Sequence, residues 1–340
     1  MKNRKITIRD VAALVGVHHS TVSRALNPKT KDRISPEMVR KVDKAAAKLG
    51  YFPNIAAATL KQNRSFALGV LVPDLMNMVF PPIIRGIQDT AEAQGYTVLI
   101  VNTDDDETKE QDALNMMSGR SVDGLIVATA WRNDALVDKC IERELPFVLV
   151  NRSVDRDGVN GVIVDEEFGI RATLDHLISL GHKRIAHIAG PQHSSTGFER
   201  AKAFGNYLTL QNLEAGLIEY TEKFTVDEGY RAVKKLLARD NQFTAVVAAS
   251  DLTALGCIDA MQELGLLCPE NISVVGNNDI IFLDRMNPAL TTVSIPKYDM
   301  GAQATRILLD MLNDEPRDPV LLRMQPRLIV RNSTSRTGTS

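Results

Sequence analysis

The sequence predicts a small all-α head followed by two doubly wound parallel α/β lobes. Three observations lead there: a basic first stretch with helical spacing of its apolar residues, a change at Phe66 to short apolar runs alternating with amphipathic helices, and a length that exceeds one sheet. Residues 1–65 hold 14 Lys and Arg against 4 Asp and Glu, a net +10, and the remainder holds 26 against 38, a net −12. A basic end on an acidic body suits a chain that displaces counterions from phosphates at that end alone. Charge by itself is met equally well by a solvated lysine-rich arm.

The head reads as folded because its turns carry the right chemistry. Thr7 is placed to cap a helix over Ile8–Val15, with Ile8, Val11, Ala12 and Val15 on one face. Gly16-Val17 breaks that pattern and His18–Leu26 resumes it, until Asn27-Pro28 stops it. Two short helices around a glycine turn have helix-turn-helix proportions. Ser35-Pro36-Glu37 then opens a third helix in cap-then-proline order, and Val39, Val42, Ala46 and Leu49 give it a buried stripe ending at Gly50.

From Phe66 the strands expected are 66–72, 96–101, 124–129, 147–150, 184–188, 244–249 and 272–276. Helical patterns near 80–94, 107–118, 133–144, 166–180, 197–210, 227–239, 251–264 and 299–313 separate them. Continuous apolar strands with helical crossovers mean parallel sheets covered on both faces. Ligands of such lobes sit in the cleft at the carboxyl ends of the strands.

Several function classes find no residues to carry them. Cys140, Cys257 and Cys268 are too few and too scattered for a disulfide framework or zinc knuckle, which fits a reducing cytoplasm. No apolar run approaches a membrane span, and MKNRKITIRD runs straight into a polar helical pattern, so no leader and no membrane association are expected. Neither GxGxxG, P-loop, HExxH nor GxSxG stands at a strand–helix junction, and the histidines form no ligand-spaced cluster. No catalytic residue, cofactor or metal site is therefore expected.

The stretch TIRDVAALVGVHHSTVSRALN at 7–27 closely resembles the helix-turn-helix of the LacI–GalR family of bacterial repressors. The resemblance continues in order through RISPEMVRKVDKAAAKLGYFPN (33–54), LGVLVPDLMNMVF (68–80), VDGLIV (122–127), LVNR (149–152), LGHKRIAHIAGP (180–191), NPALTTVSIP (287–296) and RLIVRNST (327–334). It implies a DNA-binding head over 1–53, a hinge helix or linker over 54–65, and a two-lobed periplasmic-binding-protein-like domain over 66–340 that binds an effector and dimerises. The implied protein is a transcriptional repressor in the cytoplasm, on the nucleoid when bound to a palindromic double-stranded operator. With no leucine heptad after Arg331, a homodimer is expected rather than a tetramer.

In that family the second helix docks in the major groove, where residues at its start and one turn later reach base edges. Those positions are His19, Ser20 and Arg24 here, with Arg24 suited to reading a guanine bidentately. Thr7, His18, Thr21, Ser23 and Asn27 complete the expected head contacts. Asn54, Ala57, Leu60 and Lys61 are expected from the hinge, with Leu60 as an apolar wedge into the minor groove. Ala58 stands where relatives often carry arginine.

For the effector, the resemblance selects Asn77, Phe80, Asn151, Arg152, Ser194, Thr196, Arg200, Asp251 and Asn278. Amides, an arginine fork and an aromatic ring suit a polyhydroxylated ligand. Sugar is the first expectation. Asn277-Asn278 replaces a usual aromatic–Asp pair, which gives weight to a sugar phosphate or uronate. Asp251 is as well placed to cap the next helix as to bind. Trp131, the only tryptophan, is expected near the cleft mouth, as a lobe-surface or dimer contact before a stacking one. The run 104–107 is expected to be a solvated turn with capping value. A sugar-binding transport receptor is the rival reading, opposed by the basic head.

Overall fold

The computed structural model describes residues 6–27, 30–51, 64–214, 217–313 and 318–337. The chain forms two compact units, Met1–Ser65 and Phe66–Ser340. In the first, helices α1 (Ile8–Val15), α2 (His19–Leu26) and α3 (Pro36–Leu49) pack Val11, Ala12, Val22, Ala25, Val39, Val42, Ala45 and Ala46 into one core. Each fully buried valine there contributes on the order of 1.5–3 kcal/mol. The α1 start is fixed by the Asp10 carboxylate, which accepts from the Thr7 amide at 2.8 Å and the Thr7 hydroxyl at 2.7 Å. Gly16 ends α1 at φ +73°, the left-handed conformation that lets the chain turn into α2. His18 stands outside α2 as its cap, its Nδ1 accepting from the Ser20 amide at 3.3 Å, so the helix starts one residue later than its apolar pattern suggests.

The second unit contains two six-stranded sheets. The first lobe is ordered β11-β5-β4-β3-β1-β2, with β1 Ala67–Val72, β2 Thr97–Asn102, β3 Gly124–Val127, β4 Phe147–Val150, β5 Gly161–Val164 and β11 Leu321–Met324. The second is ordered β12-β10-β9-β8-β6-β7, with β6 Ile185–Ala189, β7 Ile218–Tyr220, β8 Ala245–Ala248, β9 Ser273–Asn278, β10 Thr291–Ser294 and β12 Arg327–Ile329. Every pairing is parallel except β10 with β12. Strands β1, β2, β3, β4, β6, β8 and β9 coincide with the apolar runs expected from the sequence, β2 starting one residue later. The short β5, β7, β10, β11 and β12 fall outside the expected set, because three or four residues bounded by loops carry little periodic signal.

Helices α4 (Phe80–Ala93), α5 (Glu107–Gly119), α6 (Ala135–Glu142) and α11 (Lys297–Leu312) cover the first sheet. Helices α7 (Glu166–Ser179), α8 (Ser195–Leu210), α9 (Val226–Arg239) and α10 (Asp251–Glu263) cover the second. Each lobe has one pair of helices brought together by glycine. A Cβ on Gly86 of α4 would run into the Tyr298 carbonyl of α11, and one on Gly256 of α10 into the Val226 carbonyl of α9. The chain passes between lobes three times, after β5, after β10 and between β11 and β12. Three crossings make a hinge: the lobes are tethered at one end and their strand ends face each other.

Candidate functional site

Facing strand ends line a cleft, open to solvent, with about 350 Å3 of empty volume. The first lobe supplies Asn77 and Phe80 from the β1–α4 connection and Asn151 and Arg152 from the end of β4. The second supplies Thr196 and Arg200 from α8 and Asn278 from the end of β9. Seven of the nine residues expected at an effector site thus converge on one cavity. Val79 and Phe224 also line it, and neither is legible in the sequence, since each is an apolar residue in a loop. Asn151, at φ +69°, and Asn278, at φ +111°, both adopt backbone conformations that side chains disfavour. Such strain gathers where a scaffold holds a side chain in place for a ligand.

Two expected residues are elsewhere. Ser194 stands at the cap position of α8, its hydroxyl 2.9 Å from that of Thr196, and it does not line the cavity. Asp251 is fully buried behind the site: one oxygen accepts from the Thr292 hydroxyl at 2.5 Å and the other from the Ile280 amide at 2.9 Å. Burial pushes its pKa up to about 6, against the pull of those two hydrogen bonds. Asp251 therefore braces the β9–β10 loop and is corrected from a ligand contact to a structural group. The α10 cap is its neighbour Ser250.

The arginines differ most from expectation. Arg200 is 2% exposed and meets the Glu166 carboxylate with Nε and Nη2, both at 2.7 Å, while Nη1 donates to the Ala249 carbonyl at 2.6 Å. Arg152 meets Asp105 at 2.7 and 3.3 Å and the Thr129 carbonyl at 3.0 Å. Each guanidinium fork is thus engaged by a carboxylate of the protein itself. Within the run 104–107, Asp106 caps α5 as its sequence suggests, but Asp105 has this second task. Behind Asn278, Lys297 donates to the Asn278 and Asp279 carbonyls, and burial lowers its pKa.

The lobes touch beside the cavity. Trp131 packs on His193 with ring centroids 4.8 Å apart, and Arg132 stacks over Phe198 at 3.6 Å. The Ser153 amide donates to the Ser195 hydroxyl at 2.8 Å.

In the head, α2 presents the arrangement its spacing implies. Val22 and Ala25 are buried, His18, His19, Ser23 and Arg24 are exposed, and Ser20, Thr21 and Asn27 are half-buried, with Thr7 exposed before α1. The His18 and His19 rings pack on each other at 4.0 Å, and no cluster of three His, Cys, Asp or Glu able to hold a metal occurs among the described residues. Asn54, Ala57, Ala58, Leu60 and Lys61 lie outside the described residues.

A search of protein-family models matches residues 7–54 to "Bacterial regulatory proteins, lacI family" and residues 174–334 to "Periplasmic binding protein-like domain". The HTH-type transcriptional regulator RegA of Clostridium saccharobutylicum is 34% identical over 96% of this chain and 99% of its own length. The chain belongs to the lacI family of bacterial regulatory proteins. Among solved structures, the lac repressor dimer bound to operator and the anti-inducer ONPF matches with a TM-score of 0.86 at 27% identity, over 98% of this chain and all of that one. A CelR–cellobiose complex matches with a TM-score of 0.74 at 31% identity, over 96% of this chain and 99% of that one. This lacI-family member is a transcriptional regulator with a periplasmic-binding-protein-like domain, and its curated relatives are named as regulators and repressors. No helix among its described residues is long and apolar enough to cross a membrane.

Proposed function

We propose that this lacI-family member is a repressor that binds a palindromic operator as a homodimer and is released from or held on it by a neutral polyhydroxylated effector. Residues 1–53 bind DNA, 54–65 form the hinge, and 66–340 bind the effector and dimerise. His19, Ser20 and Arg24 read base edges, and Thr7, His18, Thr21, Ser23 and Asn27 position the head on the backbone. Asn54, Ala57, Leu60 and Lys61 extend the contact from the hinge. A half-site this short needs two heads for useful specificity, which supports the dimer. The protein works in the cytoplasm, on the nucleoid when operator-bound.

One observation carries the effector class: both arginines of the cleft are already paired with internal carboxylates, Arg200 with Glu166 and Arg152 with Asp105. An anionic ligand would have to compete with those carboxylates, so the sugar phosphate or uronate that Asn278 brings to mind is disfavoured. What the cavity offers instead is the amides of Asn77, Asn151 and Asn278, the Thr196 hydroxyl, and the rings of Phe80 and Phe224. Amides donate and accept at once, as sugar hydroxyls do, and ring faces pack against sugar C–H surfaces. The cellobiose bound by CelR is a ligand of this chemistry. Effector binding changes the relation of the lobes and thereby the spacing of paired heads.

The test pairs operator selection from a random duplex pool with a thermal-shift screen of cellobiose, ribose, glucose 6-phosphate and galacturonate. The expected result is a protected palindrome and stabilisation by a neutral sugar alone. Selection of no palindrome refutes the operator reading, and stabilisation by the phosphate or uronate alone refutes the neutral-ligand reading.

A further inference from the structure

A second cavity, with about 530 Å3 of empty volume, lies in the first lobe between α5 and α6 and shares no lining residue with the interlobe cleft. Glu110 of α5 reaches into it. That side chain is 4% exposed, and its Oε1 has no hydrogen-bond partner; the nearby Trp131 Nε1 and Thr129 Oγ1 have none either. A buried carboxyl oxygen left unpaired is costly, and native interiors seldom tolerate one without a ligand or bridging group.

We propose that this cavity is a small-molecule site for a compact primary-ammonium compound, with Glu110 as its charged acceptor and Trp131 as its aromatic wall. The charge balance argues for a cation. Glu107, Glu110 and Asp134 line the cavity against one ammonium, Lys139, which is itself bonded to Gln111. Asp134 is spent on backbone, accepting from the amides of Trp131 and Leu136 at 2.8 Å and of Val137 at 3.1 Å. Glu110 is left as the acceptor with capacity to spare. Burial first, then the charges of Asp134 and Asp105, push its pKa up to about 7, against the pull of Arg152. An ammonium group at Oε1 supplies the missing donor and the missing charge together, and an indole face adds cation–π attraction. With no metal-holding cluster among the described residues, an organic cation fits better than a metal ion. The site stands apart from the effector reading, but its Trp131 packs on His193 of the other lobe, so occupancy is felt where the lobes meet.

Because Trp131 is the only tryptophan in the chain, its fluorescence reports on this cavity directly. Full-length protein is titrated with 1,4-diaminobutane and, separately, with 1,4-butanediol, an uncharged compound of the same length. The diamine is expected to give a saturable change and the diol none. Glu110→Gln is expected to weaken the diamine roughly tenfold, and Glu107→Gln, at the exposed rim, by about twofold, in line with charge-assisted bonding at a buried group and weak screened attraction at the surface. Thermal melting confirms that both variants are folded; should Glu110→Gln not fold, the diamine–diol contrast and Glu107→Gln still decide. No saturable change with the diamine, an equal response to the diol, or undiminished binding by a folded Glu110→Gln overturns the proposal.

Discussion

Helix α2 of the head and the interlobe cleft of the body both gather polar side chains, yet they hold them differently. On α2 the side chains of His19, Ser23 and Arg24 are exposed and no ion pair of Arg24 occurs among the described residues. In the cleft, Arg152 and Arg200 are buried and each is gripped by a carboxylate. The difference follows from solvent. An exposed arginine keeps its hydration until DNA replaces it, whereas a buried one needs a counter-charge in every state of the protein. On the proposed reading, the head offers its charge to a partner, and the cleft uses its charge to fix geometry and leaves amides and rings to meet the ligand.

The most severe way to break this contrast is to remove Glu166. Glu166→Gln leaves the Arg200 guanidinium buried without a counter-charge, and a loss of about 3–5 kcal/mol of body stability is expected from the urea midpoint. The double variant Glu166→Gln/Arg200→Met removes both charges and is expected to recover most of that loss. Recovery of effector binding along with stability would show that the pair is purely a brace; persistent loss of binding in a stable double variant would show that Arg200 also contacts the ligand.

A pH titration sharpens the same point within the body. The Glu110 pKa is raised to about 7 from an ordinary 4.5, so the folded state holds its proton more tightly than the unfolded chain. Its contribution is fully present below about pH 4.5 and is lost as pH rises through about 7, a slope worth on the order of 3 kcal/mol for this buried group. Glu110→Gln is expected to abolish that slope, so that wild type and variant diverge between pH 5 and 8 in favour of the variant. His187 runs in the opposite sense. Burial lowers its pKa to about 4, which destabilises the fold as pH falls through the range 6.5 to 4, and comparing wild type with variant at each pH cancels this effect.

In the head, Arg24→Ala is expected to cost about 1–3 kcal/mol of discrimination at one operator position, read by fluorescence anisotropy on matched and mismatched duplexes. Its thermal stability is expected to stay within about 0.5 kcal/mol of wild type, since an exposed side chain off the core is removed. A large stability loss would mean that Arg24 is a packing residue like Val22.

How much was legible in the sequence divides along the same line as the two regions. The α1 and α3 boundaries, the exposed face of α2 and the core positions of the head were legible because caps, glycines and a 3.6-residue period are local signals. The seven strands β1, β2, β3, β4, β6, β8 and β9 were legible as unbroken apolar runs. The cleft was legible as a set of landmarks: Asn77, Phe80, Asn151, Arg152, Thr196, Arg200 and Asn278 do converge. What they do there was not, because the partners that decide it are distant in the chain: Glu166 is 34 residues from Arg200 and Asp105 is 47 from Arg152. Asp251 misled for a related reason, since its strand-end position suits a ligand contact and only the placement of Thr292, 41 residues on, shows the carboxylate turned inward. Phe224 carries no sequence signal beyond being an aromatic residue in a loop.

Strain at Asn278 supplies the smallest test. At φ +111° an asparagine is held in a conformation that glycine adopts freely, and its carbonyl is fixed by Lys297 while its side-chain oxygen stands 3.5 Å from Arg200 Nη2. Asn278→Gly is expected to raise body stability by up to about 1 kcal/mol, because the left-handed penalty is relieved at a site whose backbone is otherwise unchanged. The same change removes one amide from the cleft and is expected to weaken a neutral sugar by roughly tenfold, the scale of one hydrogen bond to a buried polar group. Both readings come from one sample, by calorimetric melting with and without sugar. A stabilised variant that has lost affinity means that the cleft holds Asn278 against its backbone preference for the sake of the ligand. A destabilised variant with unchanged affinity reverses the assignment, making Asn278 part of the Arg200 brace and leaving Asn77, Asn151 and Thr196 to meet the effector.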